Sequence, residues 1–122
     1  TNPSLCNVAT ITINVLPVND PPLILVNGLP QTELTYTTSE DTALPFCFEA
    51  FDIDGDITQI GSITPLSSTG TLTQLPSGID NKFCFNFIPD PNFSGNASWT
   101  ISICDASLCT DISLVIIVTP IN

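Results

Sequence analysis

The sequence predicts an all-β protein, folded as an antiparallel sandwich of two sheets. Apolar and polar residues alternate with a period of two along several segments, as in residues 8–15. This alternation is typical of half-buried strands. Eleven prolines and six glycines separate these segments, as expected for strands joined by turns. No segment has the 3.6-residue period of an amphipathic helix.

Alternation also defines the individual strands. Phenylalanine occupies alternate positions around Cys47 and Cys84, and Trp99 begins a series continued by Ile101 and Ile103. Short strands at this spacing predict an immunoglobulin-like sandwich of about seven strands, preceded by one orphan strand at 7–16. The strands expected are 7–16, 23–27, 33–38, 44–52, 57–64, 70–75, 82–88, 97–104 and 109–119.

The chain contains an internal repeat. Residues 4–19 align without a gap with residues 107–122, at a constant offset of 103 (107 minus 4). Seven of the sixteen aligned positions are identical: Ser4/Ser107, Leu5/Leu108, Cys6/Cys109, Ile13/Ile116, Val15/Val118, Pro17/Pro120 and Asn19/Asn122. Similarity at a fixed spacing indicates a tandem array. We interpret residues 1–20 as the last strand and linker of a preceding repeat, and residues 21–122 as one complete repeat.

Composition favours an extracellular fragment that attracts cations. Twelve acidic residues face one basic residue, Lys82, and the formal net charge is −11. Nucleic acid and anionic lipid are bound through Lys and Arg, so neither is an expected partner. The longest apolar run, around residues 116–118, is far shorter than the roughly 18–20 residues of a membrane helix, so no membrane insertion is expected. The sequence has no Met and no leader pattern, as expected for a piece of a larger protein.

Catalysis is not expected. Because the sequence has neither His nor Arg, it cannot form a Ser-His-Asp triad, a Cys-His pair or an arginine clamp. A carboxylate pair such as Asp52 and Asp54 could serve glycoside hydrolysis, but nothing in the sequence suggests a substrate cleft.

The cysteines predict two disulfides. Cys104 and Cys109 flank a short turn between the last two strands, where a bridge would clamp the hairpin. Cys47 and Cys84 each lie between two phenylalanines, so both point away from a phenylalanine-lined core, and in an immunoglobulin-like order their strands are neighbours. Cys6 is left over, because its hairpin partner would lie before residue 1. Zinc is not expected without His or a Cys-x-x-Cys motif, and disulfides imply an oxidising compartment.

An acidic loop follows the strand at 44–52. Residues 52–56 read Asp-Ile-Asp-Gly-Asp, and three carboxylates so close together repel one another unless a cation lies among them. Oxygen ligands suit Ca²⁺. The loop is not an EF-hand, because its twelfth position is Ile63 where a bidentate Glu is required. A polar turn with solvated acids remains the alternative at this point.

Several further motifs accompany this loop. In this order and spacing they resemble the tandem cadherin-like and bacterial immunoglobulin-like repeats of large cell-surface adhesins, over essentially all of residues 17–122. The motifs are Asn19-Asp20-Pro21-Pro22, Glu40-Asp41-Thr42, Ala50-Phe51-Asp52-Ile53-Asp54-Gly55-Asp56, Pro89-Asp90-Pro91-Asn92-Phe93-Ser94-Gly95, Asp105 and Val118-Thr119-Pro120-Ile121-Asn122.

The resemblance implies an immunoglobulin/cadherin-like fold with Ca²⁺ held between successive repeats. Carried over to this chain, the ligands at the N-terminal end are Asn19, Asp20, Asp52, Asp54 and Asp105, with Asp56 as an extra ligand. Glu40 matches a glutamate that serves the opposite junction, where its ion needs the next repeat. This chain lacks the Leu-Asp-Arg-Glu motif and has Pro21-Pro22 in its linker, so one or two ions per junction are expected.

The resemblance further implies a non-catalytic, calcium-stiffened stalk or adhesion module, extracellular on a bacterial surface or secreted. Expected partners are neighbouring repeats, together with surface glycans or other adhesin copies. The alternative function is a calcium-containing carbohydrate-binding module, for which Phe51, Tyr36 and Phe93 are the candidate sugar platform.

Residues 7–16 generate one more expectation. This strand would belong to the preceding repeat, and without that repeat it presents an unpaired edge that recruits another chain. Residues 7–16 are therefore expected to pair with an edge of their own repeat or with another copy. Because Pro17, Pro21 and Pro22 stiffen the link, the expected outcome is a dimer that is a product of truncation.

Overall fold

The computed structural model describes residues 10, 12–13, 18–67 and 69–121. Within these residues the chain forms nine β-strands and no helix. They are β1 (Leu23–Val26), β2 (Leu29–Gln31), β3 (Glu33–Ser39), β4 (Leu44–Phe51), β5 (Gln59–Ser67), β6 (Gly70–Leu75), β7 (Lys82–Pro89), β8 (Gly95–Cys104) and β9 (Cys109–Thr119). Accordingly, this part of the chain has no helix with the length and hydrophobicity that a membrane crossing requires.

The strands form two sheets that pack as a sandwich. One sheet has the order β2-β1-β4-β7-β6 and the other has the order β3-β9-β8-β5. Neighbouring strands are antiparallel except β3 and β9, which are parallel. The predicted all-β, two-sheet immunoglobulin-like sandwich is confirmed.

The predicted strand positions agree closely with the structure, with one strand missed. A hairpin joins β1 to β2, and its turn places Asn27 and Gly28 at φ values of 53° and 79°. Two consecutive positive φ values are what a tight two-residue hairpin requires, and Asn-Gly meets that need at low cost. The Asn-Gly pair was the available signal for β2, which is only three residues long. Most of the expected strand 7–16 lies outside the described residues.

Aromatic side chains fill the space between the sheets. Phe46, Phe48, Phe83, Phe85 and Phe87 are all buried, because they lie on the inward positions of the directly paired strands β4 and β7. Phe46 and Phe85 stack with their ring centroids 5.6 Å apart. The facing sheet contributes inward residues of β8 and β9, which are Ala97, Trp99, Ile101, Ile103, Ile112, Leu114, Ile116 and Val118.

Two disulfides join directly paired residues. Cys47 on β4 bonds to Cys84 on β7, and the bridge lies on the outer face because both neighbours of each cysteine are buried phenylalanines. Cys104 on β8 bonds to Cys109 on β9 and closes the hairpin between these strands. These are the pairs expected from the sequence. Cys6 lies outside the described residues.

The two disulfides should differ in their effect on stability, since they close loops of different length. The paired residues are 37 apart for Cys47–Cys84 and 5 apart for Cys104–Cys109. Loop entropy then gives about 4 kcal/mol for the first bridge and about 2 kcal/mol for the second. Denaturant unfolding of the variants Cys47→Ala/Cys84→Ala and Cys104→Ala/Cys109→Ala measures both values. An equal or larger loss for the hairpin pair would contradict this explanation.

Candidate metal centre

The inward face of β4 ends in a carboxylate. Phe46, Phe48 and Ala50 point into the core, and the next residue with the same parity is Asp52, which is only 5% exposed. Strand residues alternate between faces, so the position that buries three apolar side chains also buries this acid. Asp52 thus closes the end of the core at the point where β4 stops.

The facing sheet repeats this arrangement. Trp99, Ile101 and Ile103 are the inward residues of β8, and the next residue of the same parity is Asp105, which is 9% exposed. β4 and β8 belong to different sheets. Two acids that follow the inward positions of facing sheets meet at one end of the sandwich, which we call the N-terminal pole.

Tight turns hold both acids in place. After Asp52 the chain turns back with a hydrogen bond from the Gly55 N–H to the Asp52 carbonyl (2.9 Å), and Gly55 adopts a φ of 81°. Asp52 Oδ1 also accepts the Asp54 N–H (2.8 Å). The same turn brings Asp56, which is half-buried, back toward the pole.

Asp105 organises the β8–β9 hairpin through its side chain. Its Oδ1 accepts the N–H groups of Ser107 and Leu108, both at 2.7 Å. The backbone donors of Leu108 and Ser107 lower the pKa of the Asp105 carboxyl more than burial raises it, and the side-chain hydrogen bond from Asn19 lowers it further. Asp105 is therefore held in its charged form.

The segment before β1 is bound to this pole. Asn19 donates from Nδ2 to Asp105 Oδ2 (2.9 Å), and the Asp20 N–H donates to Asp54 Oδ2 (2.8 Å). Thr110 in β9 donates its hydroxyl to the Pro22 carbonyl. Residues 19–22 are thus attached both to the acidic loop and to the strand that follows Asp105.

Three carboxylates converge at the pole. Oxygen atoms of Asp52, Asp56 and Asp105 all lie within 4.8 Å of one another. Burial raises the pKa of the Asp56 carboxyl, and the charges of Asp52, Asp105 and Asp54 raise it further. Asp52 Oδ2 is buried without a hydrogen-bond partner among the described residues. A buried, unpaired carboxylate oxygen is costly unless another ligand satisfies it.

This arrangement fits a hard divalent cation. Calcium binds oxygen atoms at about 2.3–2.6 Å, so two ligands on opposite sides of one ion are separated by about twice that distance. The 4.8 Å limit on the three carboxylates agrees with that span. A cation among them would pair with the orphaned oxygen of Asp52 and reverse the repulsion that raises the Asp56 pKa.

Comparison with known proteins places the sandwich in a family. The family model of the bacterial Ig domain matches residues 19–118. The chain belongs to this family. No curated protein matches it significantly.

Solved structures share the fold of this bacterial Ig domain. Part of the endo-fucoidan hydrolase MfFcnA4, of glycoside hydrolase family 107, superposes with a TM-score of 0.58 at 19% identity, covering 75% of this chain and 13% of the hydrolase. The related hydrolase MfFcnA9 gives 0.56 at 19% identity, covering 85% and 17%. Titin domain M7 gives 0.50 at 14% identity, covering 84% and 98%. The bacterial Ig domain therefore spans less than a fifth of either hydrolase.

The structure separates the predicted metal ligands into three groups. Asp52, Asp56 and Asp105 form the cluster. Asn19, Asp20 and Asp54 lie at its rim, connected through the hydrogen bonds of residues 19 and 20. Glu40 lies at the opposite end, beside the end of β9, where its Oε1 accepts the Ile121 N–H (3.0 Å).

Two residues that support the site were not predicted from the sequence. Asn81 Oδ1 accepts both the N–H (2.7 Å) and the hydroxyl (2.8 Å) of Thr58, a residue only 3% exposed. The Asn81 carbonyl also accepts the Ala50 N–H (2.8 Å). Asn81 thus joins the end of the acidic loop to the end of β4. Its only sequence signal is an Asn in a turn, where a left-handed backbone (φ 62°) is common.

The role of Asn81 can be tested with a matched pair of variants. Asn81→Gly tolerates the positive φ but leaves the Thr58 donors without their acceptor, so we expect a loss of about 1–3 kcal/mol in unfolding free energy. Asn81→Asp keeps an acceptor oxygen and should retain most of the stability. Denaturant unfolding in EDTA provides the measurement, and equal stability of wild type and the Gly variant would refute the role.

The pH dependence without divalent cations follows from the signs of the two pKa shifts. Asp56 has a folded pKa above its unfolded value, so its ionisation destabilises the fold as the pH rises through that range. Asp105 has a depressed folded pKa, so its contribution is complete above its unfolded pKa and is lost as the pH falls through the folded one.

We therefore expect Asp56→Asn to raise the melting temperature in EDTA at pH 7, and Asp105→Asn to lower it. The gain from Asp56→Asn should shrink as acid protonates the wild-type carboxyl. Thermal melts across pH 4–7 check both signs, with exposed Asp90→Asn as a charge-matched control. If Asp90→Asn raised the melting temperature as much as Asp56→Asn, the gain would come from the change in net charge alone.

Proposed function

We propose that this bacterial Ig domain is a non-catalytic, calcium-stiffened structural repeat of an extracellular or cell-surface adhesin. The observation that carries the proposal is the N-terminal pole. There Asp52, Asp56 and Asp105 come together, one buried oxygen of Asp52 has no hydrogen-bond partner in the part of the chain that the structure describes, and Asn19 is bound to the same cluster.

Calcium at this pole would stiffen the connection to a preceding repeat. The cluster contains acids from two different turns, and the linker contacts both turns through Asn19 and Asp20. A shared cation would tie these three segments together. The backbone restriction of Pro21 and Pro22 already limits bending, so the ion would remove much of the freedom that remains.

Glu40 lies at the opposite end of the domain from the N-terminal pole. It lies beside the end of β9, next to Ile121, and 11 residues of β9 separate that end from the Asp105 turn. A glutamate there would contribute to the junction with a following repeat. Under this proposal, one end of the domain supplies ligands to the junction with the preceding repeat, and the other end supplies Glu40 to the junction with the following repeat.

The family and the disulfides support an extracellular location. Disulfides form and persist in oxidising compartments such as the cell surface, and they are rare in the cytosol. A net charge of −11 also disfavours binding to anionic lipid.

A carbohydrate-binding module is the weaker alternative. Tyr36 stacks on Phe46, with ring centroids 4.6 Å apart, and Phe93 packs partly against the core. Phe51, at 48% exposure, is then the one exposed aromatic among the three candidate platform residues. In the two fucoidan hydrolases, the part that superposes on this domain belongs to a much longer chain. A glycan array with this domain would test the alternative directly.

Calcium titration tests the stalk proposal. We expect calorimetry to detect binding in the range of about 10⁻⁴–10⁻³ M that is typical of extracellular modules. At free calcium ten times Kd, the folded form should gain about 1.4 kcal/mol. Amide hydrogen exchange at residues 18–20 should slow as calcium is added, because the segment before β1 is then held more firmly.

Matched variants localise the ion. Asp52→Asn and Asp105→Asn should weaken binding by about tenfold or more, since each removes a charged ligand. Asp90→Asn makes the same charge change at the opposite end and should leave binding unaltered. If calorimetry detected no binding heat and calcium up to millimolar concentration did not shift the melting temperature, the proposal would be wrong for this domain.

A further inference from the structure

The described chain enters and leaves the sandwich at opposite ends. Asn19 and Asp20 are bound to the turns of the N-terminal pole. β9 starts beside that pole at Cys109 and stops at Thr119, at the far end. A stalk is pulled at its two ends when the surface that it binds moves away, so in a tandem array the tension would cross this domain from pole to pole. The strand order determines which contacts resist that tension.

Tension on the N-terminal side reaches β1 first and β3 next. β1 is paired with the central strand β4 over three residues, and its other neighbour is the short strand β2. This hairpin therefore has a weak hold on its sheet. β3 is paired with β9 over seven residues without a break in register. Because β3 is an edge strand of the sandwich, β9 is its one strand neighbour among the described residues.

The parallel direction of β3 and β9 decides how the force acts on them. β3 would be pulled from its first residue and β9 from its last, so the two strands would slide along each other in opposite directions. The hydrogen bonds along the whole paired length then carry the force together. β9 is held on its other side by ten paired residues of β8 and by the Cys104–Cys109 bridge. The β3–β9 ladder is therefore the first of the two to fail.

The Cys47–Cys84 bridge acts after this ladder has failed. It joins β4 to β7, and its two cysteines are 37 residues apart in sequence. The closed loop contains most of β4 and all of β5 and β6, and tension between the chain ends cannot stretch it. At about 3.6 Å per residue, the loop withholds about 130 Å of extended chain. The Cys104–Cys109 bridge, across a separation of 5 residues, withholds only about 15 Å.

We propose that this domain is a tension-resisting repeat of limited extension. The β3–β9 ladder resists the force, and the Cys47–Cys84 bridge limits the length that is released when the ladder fails. The bridge also keeps the phenylalanines of β4 and β7 close together in the stretched chain. This lowers the entropy of the stretched state, so the core re-forms faster when the tension falls. The device depends on the domain being a repeat of a tandem array, as proposed above, and does not depend on calcium.

Single-molecule force spectroscopy of the whole 122-residue chain in EDTA tests the ladder. One set of molecules is held by its two ends. In the other set the handles are attached at the C-terminus and at position 43, which is exposed and lies in the turn after β3, through a non-natural side chain that adds no cysteine. Both handles are then at the same end of the sandwich, and β9 is peeled from its neighbours one residue pair at a time.

We expect end-to-end pulling to need a several-fold higher unfolding force than pulling from position 43, because seven paired residues share the force in the first case. The folded protein is otherwise the same, so a difference in stability cannot explain the result, and melting curves of both preparations verify this. Equal unfolding forces in the two directions would overturn the role of the ladder.

The length released on unfolding tests the bridge with a matched pair of variants. Compared with the wild type, Cys47→Ala/Cys84→Ala should release about 130 Å more and Cys104→Ala/Cys109→Ala about 15 Å more. The wild type in a dithiol reductant supplies the first comparison if that variant does not fold. A wild type that releases as much length as Cys47→Ala/Cys84→Ala overturns the limit on extension.

Repeated stretching and relaxation tests recovery. After relaxation the wild type should regain its full unfolding force after a shorter waiting time than Cys47→Ala/Cys84→Ala, and equal waiting times would contradict the role of the bridge in recovery. Calcium binding by the unstretched domain is a separate measurement. If calcium did not bind but the force and length results were as expected, the calcium junction would be wrong and the resistance to tension would stand.

Discussion

The alternation of inward and outward side chains along β4 and β8 continues past the last paired residue of each strand, and it brings the oxygens of two acids within 4.8 Å of each other. The positions that bury phenylalanine and isoleucine inside the sandwich become the positions of Asp52 and Asp105 at its end. Turning either acid outward would require a change of the backbone in its turn, which the hydrogen bonds between Gly55 and Asp52 and between Asp105 and Leu108 oppose. The core and these turns therefore fix the carboxylates in place.

The two acids meet this constraint differently. Asp105 is paired on both oxygens, by the turn it organises and by Asn19 of the linker. Asp52 uses one oxygen for its own turn and leaves the other buried without a hydrogen-bond partner among the described residues. One acid thus maintains the hairpin, whereas the other keeps one oxygen available to a ligand such as the proposed cation. This asymmetry distinguishes the pole from a cluster of solvated surface acids.

The distribution of charge separates two kinds of surface. Acids are concentrated at the ends of the sandwich, where Asp52, Asp54, Asp56 and Asp105 lie at one pole and Glu40 and Asp41 at the other. The side formed by residues 57–79 is neutral. The acids that the proposed calcium junctions would use are therefore separated from this neutral side.

The sequence by itself determined the fold class and most strand positions, because a period of two and the turn residues are local signals. The same parity assigned Cys47 and Cys84 to an outer face. The sequence also contained a signal for the site, because Asp52 and Asp105 continue the inward series of the Phe46 and Trp99 strands. β2 was missed, since three residues are too few to show a period, although Asn27-Gly28 marked its turn.

Only the tertiary structure decided which acids meet. Residues 52–56 contain three aspartates with equivalent local context, yet Asp54 points to the linker while Asp52 and Asp56 join Asp105. That division depends on the turn closed by Gly55 and on the facing sheet, which carries Asp105. Asp105 is distant in sequence from this turn, so no local pattern shows that the two will lie side by side. The support that Asn81 gives to Thr58 likewise joins residues 23 positions apart. Contacts between distant segments arise from how the two sheets pack, and packing is a property of the whole chain.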